Sequence, residues 1–196
     1  MSGVPPVFPP EAWELLVDWL PSNDDPERPQ ITLSTVDAGG DPDARTVLLT
    51  SFDADGFQFN TDGASRKAAD IAAHPAVALT VLWPGFTRQL VVRGTAAPAP
   101  ASVVAAAYES RSPYLKQLAW LNTHEFAALP RAERVAHWAA FEEAHSGVYE
   151  QPTSWVGYLV TPTRLTFWTS NGDTASQRTE FALDGSGSWT RRFLAG

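Results

Sequence analysis

A short polar segment, Ser65-Arg66-Lys67, has the residue types of a phosphate-binding site. It follows a β-rich run and an Asp-Gly turn, and it precedes an alanine-rich stretch that ends before Pro75. This pattern predicts a helix over Ser65–His74 with Ser65 as its N-cap and both cations in its first turn. Cations oppose the helix macrodipole there, whereas a bound phosphate would use the free amides, the hydroxyl and both cations. The alternative is a surface turn with two solvated bases.

Two further segments carry polar side chains that could join the same site. Arg45-Thr-Val-Leu-Leu begins a predicted strand that precedes the Phe57 strand across a hairpin, so Arg45 can reach the same end of the sheet. Gln89 lies in an apolar strand, where an unpaired amide would cost about 1–3 kcal/mol. A flavin pyrimidine ring offers matching donors and acceptors for this side chain, and a backbone partner is the alternative.

The other candidate groups show no pattern typical of catalysis or metal binding. The four histidines lack the HxxxH or HExxH spacing of a metal site, and there is no Gly-x-Ser-x-Gly motif. Glu142-Glu143 fits a solvated helix face. Because the chain has no cysteine, disulfides, thiolate ligands and cysteine nucleophiles are excluded. We therefore expect no metal site and assign no catalytic residue.

The elements that must position these side chains are many short strands and few helices. Strands are predicted at 31–36, 46–52, 57–60, 77–83, 88–96, 155–160, 164–169, 179–183 and 188–193. Helices are predicted at 9–20, 65–74, 101–110 and 131–145, with a further helical stretch up to Trp120. Since strands and helices do not alternate as in βαβ units, the pattern favours a barrel-like α+β fold.

Length and charge restrict the class of protein further. The 196 residues fit one domain, and the net charge of −8 gives no electrostatic basis for nucleic-acid binding. No basic run, no apolar run of about 20 residues and no signal-peptide pattern in Met1 to Pro10 is present. We expect a cytoplasmic protein without nucleic-acid or membrane partners.

Several motifs occur together in the order and spacing typical of one family. They are Arg45-Thr-Val-Leu-Leu, Asn60-Thr-Asp-Gly-Ala-Ser-Arg-Lys, Trp83-Pro-Gly-Phe-Thr-Arg-Gln-Leu-Val-Val-Arg-Gly, Tyr108-Glu-Ser-Arg, Ser154-Trp-Val-Gly-Tyr, Phe167-Trp168 with Arg178, and Trp189-Thr-Arg-Arg-Phe-Leu-Ala-Gly. On these motifs the chain resembles the pyridoxamine 5'-phosphate oxidase family over residues 28–196, more weakly at 121–150. The resemblance implies an α+β, FMN-binding split β-barrel with Greek-key-like antiparallel strands and flanking helices.

The resemblance also implies a single domain in four parts and a homodimer with FMN at its interface. The parts are an N-terminal helix and loop (1–27), the barrel core with the FMN phosphate site (28–120), a helical excursion (121–150) and closing strands (151–196). By motif position, the FMN phosphate would be held by Arg45, Ser65, Arg66 and Lys67. Further flavin contacts would come from Thr46, Val47, Leu48, Asn60 and Thr61.

Three more flavin contacts are implied at the dimer interface. Gln89 would meet the isoalloxazine from its own subunit, and Trp168 and Arg178 would close over it from the partner. The family carries a glutamine and a serine shortly after the tryptophan that matches Trp120. Here His124 and Glu125 occupy those positions, so these contacts are not carried over.

The substrate side departs from the family pattern. The expected lysine, tyrosine, serine, arginine and histidine are replaced here by Thr50, Ala107, Leu115, Thr174 and Ser176. Each lost charge-assisted hydrogen bond would contribute about 1.5–3 kcal/mol to holding a substrate phosphate. Arg111 remains as the candidate for an anionic substrate group, with a helix-surface salt bridge as its alternative.

These features predict an FMN-dependent oxidoreductase that acts on a small molecule other than pyridoxamine 5'-phosphate. One alternative is a genuine pyridoxamine 5'-phosphate oxidase with a rebuilt substrate site. Another is a protein that binds, stores or senses flavin without catalysis. A deazaflavin in place of FMN is a further variant, although Ser65-Arg66-Lys67 and the C-terminal motif favour FMN.

Overall fold

The structure is a computed structural model that describes residues 7–196. Residues 1–6 lie outside this range, and they belong to the segment from Met1 to Pro10 in which the sequence shows no signal-peptide pattern. The described chain contains eight strands. They are β1 (Gln30–Val36), β2 (Pro42–Asp53), β3 (Gly56–Asp62), β4 (Ala76–Leu82), β5 (Arg88–Pro98), β6 (Trp155–Thr169), β7 (Gln177–Leu183) and β8 (Trp189–Ala195).

All strand pairs are antiparallel, and six of the strands close into a barrel. The order around it is β3-β2-β1-β4-β5-β6, and pairing of β3 with β6 completes the ring. The remaining strands, β7 and β8, extend the sheet from the far half of β6. The predicted α+β split β-barrel is confirmed.

Six α helices flank the barrel within the described chain. They are α1 (Pro10–Trp19), α2 (Arg66–Ala73), α3 (Ala101–Glu109), α4 (Pro113–Leu121), α5 (His124–Ala128) and α6 (Arg131–His145). The five-residue α5 was not predicted, because so short an element carries too little periodicity to identify it. None of the described helices is long and apolar enough to cross a membrane.

Alternating burial along the strands builds the core. In β1, Ile31 and Leu33 are buried while the intervening Thr32 is exposed, as expected for a strand with one inward face. The apolar face of α1 adds the fully buried Leu16 to the same core. A smaller cluster of Val104, Tyr108 and Trp155 joins α3 to the start of β6. This second cluster anchors the helices that border the candidate site.

The two predicted strands 155–160 and 164–169 are wrong as separate elements, because they form the single strand β6. One edge of β6 pairs with β5 along its length, with a register shift near Gly94. On its other edge, β3 pairs with 155–160 and β7 with 164–169. Pro162 lies where that edge changes partner, so its missing N–H removes no ladder hydrogen bond there. The interruption of the strand pattern at Pro162 therefore marks the point where one edge of β6 changes its partner from β3 to β7.

Gly94 offers a test of this close packing between β5 and β6. An added Cβ at Gly94 would overlap the carbonyl oxygen of Thr161, whereas at Gly172 it would meet no atom within 4 Å. We expect Gly94→Ala to lower the free energy of unfolding by about 1–3 kcal/mol, because the strands must move apart. Urea unfolding of both alanine variants measures the difference. Equal stability of the two would contradict this account of the β5–β6 contact.

Candidate functional site

One cleft of about 230 Å³ gathers most of the predicted site residues. It lies between β2, β3, the start of α2 and the face of α4. The predicted residues that line it are Thr46, Val47, Leu48, Asn60, Thr61, Ser65, Lys67 and Arg111. Strands β2 and β3 are joined by a hairpin and paired side by side, which brings the two sets of strand residues together. The cleft is the candidate cofactor site.

The start of α2 forms a polar end of the cleft. Ser65 is the N-cap residue as predicted, but its hydroxyl donates a 2.6 Å hydrogen bond to the Asp62 carbonyl instead of accepting one from the first turn. The Lys67 ammonium donates to Thr61 Oγ1 at 3.0 Å. The first turn of α2 carries no acidic residue. The positive end of this helix is therefore not neutralised by a side chain of its own.

The Lys67 ammonium is partly removed from water. Burial is the largest cause that lowers its pKa, and the nearby Arg45 guanidinium lowers it further. The carboxylates of Asp62 and Asp70 act in the opposite direction without offsetting these two effects. A partly desolvated cation of this kind attracts an anion more strongly than a fully solvated one.

Arg45 and Arg66, both predicted to hold phosphate, lie outside the cleft lining. Arg45 forms ion pairs with Asp43 at 2.8 Å and with the buried Asp70 at 3.3 Å, and it donates to Thr35 Oγ1. Arg66 is 76% exposed and forms a 3.3 Å ion pair with Asp43. A backbone hydrogen bond from Ala44, followed by the hydrogen bond from Arg45, lowers the pKa of Asp43 and keeps its carboxylate charged. Two of the four predicted phosphate ligands thus already have a carboxylate partner.

The cleft lining also contains Arg111, which is stacked on Trp155. The guanidinium carbon lies 4.3 Å from the centre of the Trp155 ring, and Nε and Nη2 donate to the Leu115 carbonyl. Burial lowers the pKa of Arg111, although a guanidinium stays charged near neutral pH. The predicted alternative of a helix-surface salt bridge is wrong, since Arg111 forms none within residues 7–196.

Two buried polar atoms of the cleft residues have no hydrogen-bond partner in the described chain. They are Asn60 Oδ1, an acceptor, and Trp155 Nε1, a donor. The amide nitrogen of Asn60 is already satisfied by Thr50 Oγ1 at 2.8 Å. An unpaired buried polar group costs about 1–3 kcal/mol, and both atoms are closed off from the cleft in the ligand-free chain, so each lowers the stability of the fold beside it.

The remaining predicted flavin contacts lie in a row away from the cleft. Gln89, Trp168 and Arg178 face one another on β5, β6 and β7, so they share one face of the sheet. Trp168 is only 8% exposed, and Phe86 packs on it with ring centres 4.6 Å apart. Arg178 donates to the Ala195 carbonyl. The register places Gln89 with Trp168 and Arg178 rather than with the residues that line the cleft.

The positions that depart from the family pattern lie in several places. Thr50 bonds to Asn60, and Leu115 lines the cleft. Thr174 borders a different cavity, near Trp19. Tyr108, next to the position of the missing tyrosine, is fully buried and donates to the Glu150 carbonyl, so it does not face the cleft.

Several cleft residues were missed in the sequence. They are Asp62, Leu118, Ala119, Asn122 and Trp155. The three from α4 extend the helical spacing of Leu115 at i+3, i+4 and i+7, so the periodicity of one helix face could have identified them. Trp155 was assigned to a strand, and only its pairing with Asp62 brings it to the cleft. The described chain has no cluster of three His, Asp or Glu side chains suited to a metal ion.

A closed six-stranded antiparallel barrel with this strand extension belongs to the class of split β-barrels that includes FMN-binding proteins. A family model described as pyridoxamine 5'-phosphate oxidase matches residues 24–148. A pyridoxine/pyridoxamine 5'-phosphate oxidase of Anaeromyxobacter dehalogenans is 38% identical over 156 residues, covering 79% of each chain. The one of Bradyrhizobium sp. is 33% identical over 193 residues, covering 92% of this chain and 86% of its own. The chain belongs to the pyridoxamine 5'-phosphate oxidase family.

Solved structures support the fold. The chain is similar to PhzG from Burkholderia lata, crystallised with tetrahydrophenazine-1-carboxylic acid, with a TM-score of 0.78, 22% identity and coverage of 95% of this chain and 90% of the other. It is also similar to a pyridoxamine 5'-phosphate oxidase-related, FMN-binding protein from Nostoc punctiforme, with a TM-score of 0.66, 17% identity and coverage of 85% and 88%. At these identities the likeness concerns the fold alone.

Lys67 should lower the stability of the ligand-free protein. Its pKa is lower in the folded than in the unfolded chain, so the charged form costs free energy below the folded pKa. That cost disappears as the pH rises through the folded pKa towards the ordinary lysine value. We expect Lys67→Met to raise the melting temperature near neutral pH and to lose this advantage in alkaline solution. Thermal unfolding across this pH range measures the effect, and a lower melting temperature of the variant near neutral pH would contradict it.

Proposed function

We propose that this protein is a cytoplasmic, homodimeric, FMN-dependent oxidoreductase acting on a small molecule other than pyridoxamine 5'-phosphate. The observation that carries the proposal is the cleft itself, which gathers eight predicted site residues around a helix start with Lys67 beside it. Membership of the pyridoxamine 5'-phosphate oxidase family supports the class of reaction. No nucleic acid or membrane takes part in this proposal.

The FMN phosphate would bind at the start of α2. Lys67 supplies the partly desolvated cation, and Ser65 can turn its hydroxyl from the Asp62 carbonyl to a phosphate oxygen. Arg66 is exposed enough to exchange Asp43 for the phosphate. Arg45, which the resemblance assigns to the phosphate, would keep its ion pairs with Asp43 and Asp70 in this arrangement. The phosphate would thereby relieve the unfavourable placement of cations at this helix end.

The flavin ring would lie against Asn60 and Trp155, which line the cleft. A small movement of these side chains would expose Asn60 Oδ1 as an acceptor and Trp155 Nε1 as a donor, a combination that suits a ring system with both N–H and carbonyl groups. Thr46, Val47 and Leu48 of β2 line the same cleft, and their main-chain or side-chain groups would add further contacts to the flavin. Bound FMN supplies hydride or electron transfer, while these residues bind and orient it.

The row of Gln89, Trp168 and Arg178 would complete the site from the partner subunit. These residues are adjacent in register and do not line the cleft of their own chain. We therefore revise the expectation that Gln89 acts from its own subunit, and propose that all three reach the flavin together. Each monomer would hold one half of each of two sites, as expected for an isologous dimer.

The substrate would carry an anionic group and an apolar part. Arg111 is held over Trp155 with two of its nitrogens on the Leu115 carbonyl, so it can receive an anion at a fixed position. Leu115, Leu118 and Ala119 give the adjoining wall an apolar character. A wall of this kind suits an apolar body better than a phosphate that needs several charge-assisted bonds.

The second candidate is a genuine pyridoxamine 5'-phosphate oxidase with a rebuilt substrate site. It is favoured by the retained Arg111 and by the relatives at 38% and 33% identity, both named pyridoxine/pyridoxamine 5'-phosphate oxidase. Turnover of pyridoxamine 5'-phosphate with release of peroxide, assayed at saturating FMN, separates this candidate from the first.

The visible spectrum of the purified protein tests the cofactor. We expect a flavin spectrum, with FMN identified after release by chromatography. Lys67→Met should weaken FMN binding by about tenfold to a hundredfold, because one charged hydrogen bond contributes about 1.5–3 kcal/mol. Arg93→Gln, which changes an exposed cation on β5, is the control and should leave the affinity unchanged. A protein that neither contains nor binds FMN would overturn the proposal.

Subunit mixing tests whether the site is shared. Lys67→Met damages the cleft half and Trp168→Ala the partner half, so each homodimer has two damaged sites. Mixed dimers would contain one site with both changes and one intact site. After unfolding and refolding an equal mixture, we expect about a quarter of all sites to recover wild-type FMN affinity. No recovery, with a mixed dimer demonstrated by differently tagged chains, would show that both residues act within one subunit.

A further inference from the structure

A second cavity of about 390 Å³ adjoins the cleft. It lies between the end of α4, the short helix α5 and the first half of α6. Leu118 of α4 and its C-cap residue Asn122 border both cavities, so the two cavities share part of a wall. Its volume is in the range of sites that hold small organic molecules. The site described above uses none of the residues contributed by α5 and α6.

The charge of this cavity is opposite to that of the whole chain. Arg131 and Arg134, one turn apart on α6, both border it, and no carboxylate does. The chain as a whole has a net charge of −8. Neither arginine forms an ion pair with a carboxylate within residues 7–196. Two unneutralised guanidinium groups beside one cavity therefore form a local anion-attracting surface.

The rest of the cavity wall is apolar and aromatic. Phe126 from α5 and Trp138 and Val135 from α6 supply most of this surface, and Val135 is 55% exposed. No residue of α6 is buried. The helix is held by a hydrogen bond from the buried Gln117 amide to the Trp138 carbonyl at 2.7 Å, which fixes its distance from α4. The apolar wall is thus attached to α4 yet uncovered.

We propose that this second cavity binds an aromatic carboxylate, with the ring against Phe126 and Trp138 and the carboxylate on Arg131 and Arg134. A guanidinium fork matches a planar carboxylate with two parallel hydrogen bonds, and aromatic walls favour a flat apolar body. Its role as a substrate site rests on the proposed function, because the shared wall at Leu118 and Asn122 would let such a molecule extend towards the flavin. The binding itself does not depend on that role.

Isothermal titration of 2-naphthoate into the wild-type protein, with FMN added, tests the proposal. The matched probe 2-naphthamide has the same ring without the charge. We expect 2-naphthoate to bind at least about tenfold more tightly than the amide, because of its charge-assisted hydrogen bonds. Equal affinity for the two probes, or no binding of 2-naphthoate, would overturn it.

Variants locate the binding within the molecule. Arg131→Gln with Arg134→Gln should remove the preference for 2-naphthoate, and Ala127→Trp should fill the cavity and block both probes. Arg93→Gln, an exposed cation on β5, is the control that should leave 2-naphthoate binding unchanged. Binding of 2-naphthoate that survives Ala127→Trp would place the probe elsewhere in the molecule and overturn the proposal.

Flavin absorbance of the same samples separates this proposal from the proposed function. If FMN is bound but 2-naphthoate binding does not depend on Arg131 and Arg134, the second cavity is wrongly assigned and the proposed function is unaffected. If FMN is not bound but arginine-dependent binding of 2-naphthoate persists, the proposed function fails while the second cavity is supported as a carboxylate site.

Discussion

The pairing of β3 with β6 is the constraint on which the rest of the structure depends. It closes the barrel and sets Asn60 opposite Gly157 and Asp62 opposite Trp155. The strands and α3 approach so closely at this seam that a Cβ on Gly157 would lie 2.7 Å from the side chain of Val104. Trp155 in turn supports Arg111 on its ring. The same seam therefore forms one wall of the cleft and orients the Arg111 cation in its lining.

The cleft retains polar groups that the folded chain alone does not satisfy. Asn60 Oδ1 and Trp155 Nε1 are buried without partners, and Lys67 is partly desolvated. Each of these lowers stability, and an anionic ligand at the start of α2 would offset the cost at Lys67. Arg45 is the contrasting case, since Asp43 and Asp70 already neutralise it. The partly desolvated Lys67, rather than the largest number of cations, marks the ligand position.

Much of the fold could be predicted from the sequence because strand alternation and turn residues are local signals. The position of Ser65, Lys67 and the β2 segment around one site followed from motif order and hairpin geometry. What could not be predicted depends on pairing between distant segments. The ion pairs of Arg45 with Asp70 and of Arg66 with Asp43, the single strand β6 and the row that joins Gln89 to Trp168 all involve contacts between distant segments. A single sequence gives the composition and the local periodicity of apolar residues, but it does not determine which residues of distant strands pair with one another.

The family motifs of the chain lie on two separate surfaces, and this separation bears on how a family member can change its substrate. One surface is the cleft formed by β2, β3, α2 and α4, and the other is the row on β5, β6 and β7. Both surfaces include paired strands of the sheet, where a change would disturb strand pairing. The helices α5 and α6 hold no buried residue, and a hydrogen bond from Gln117 attaches α6 to α4. Residues there can vary at little cost in stability, so this segment is the physically favourable place for new substrate contacts.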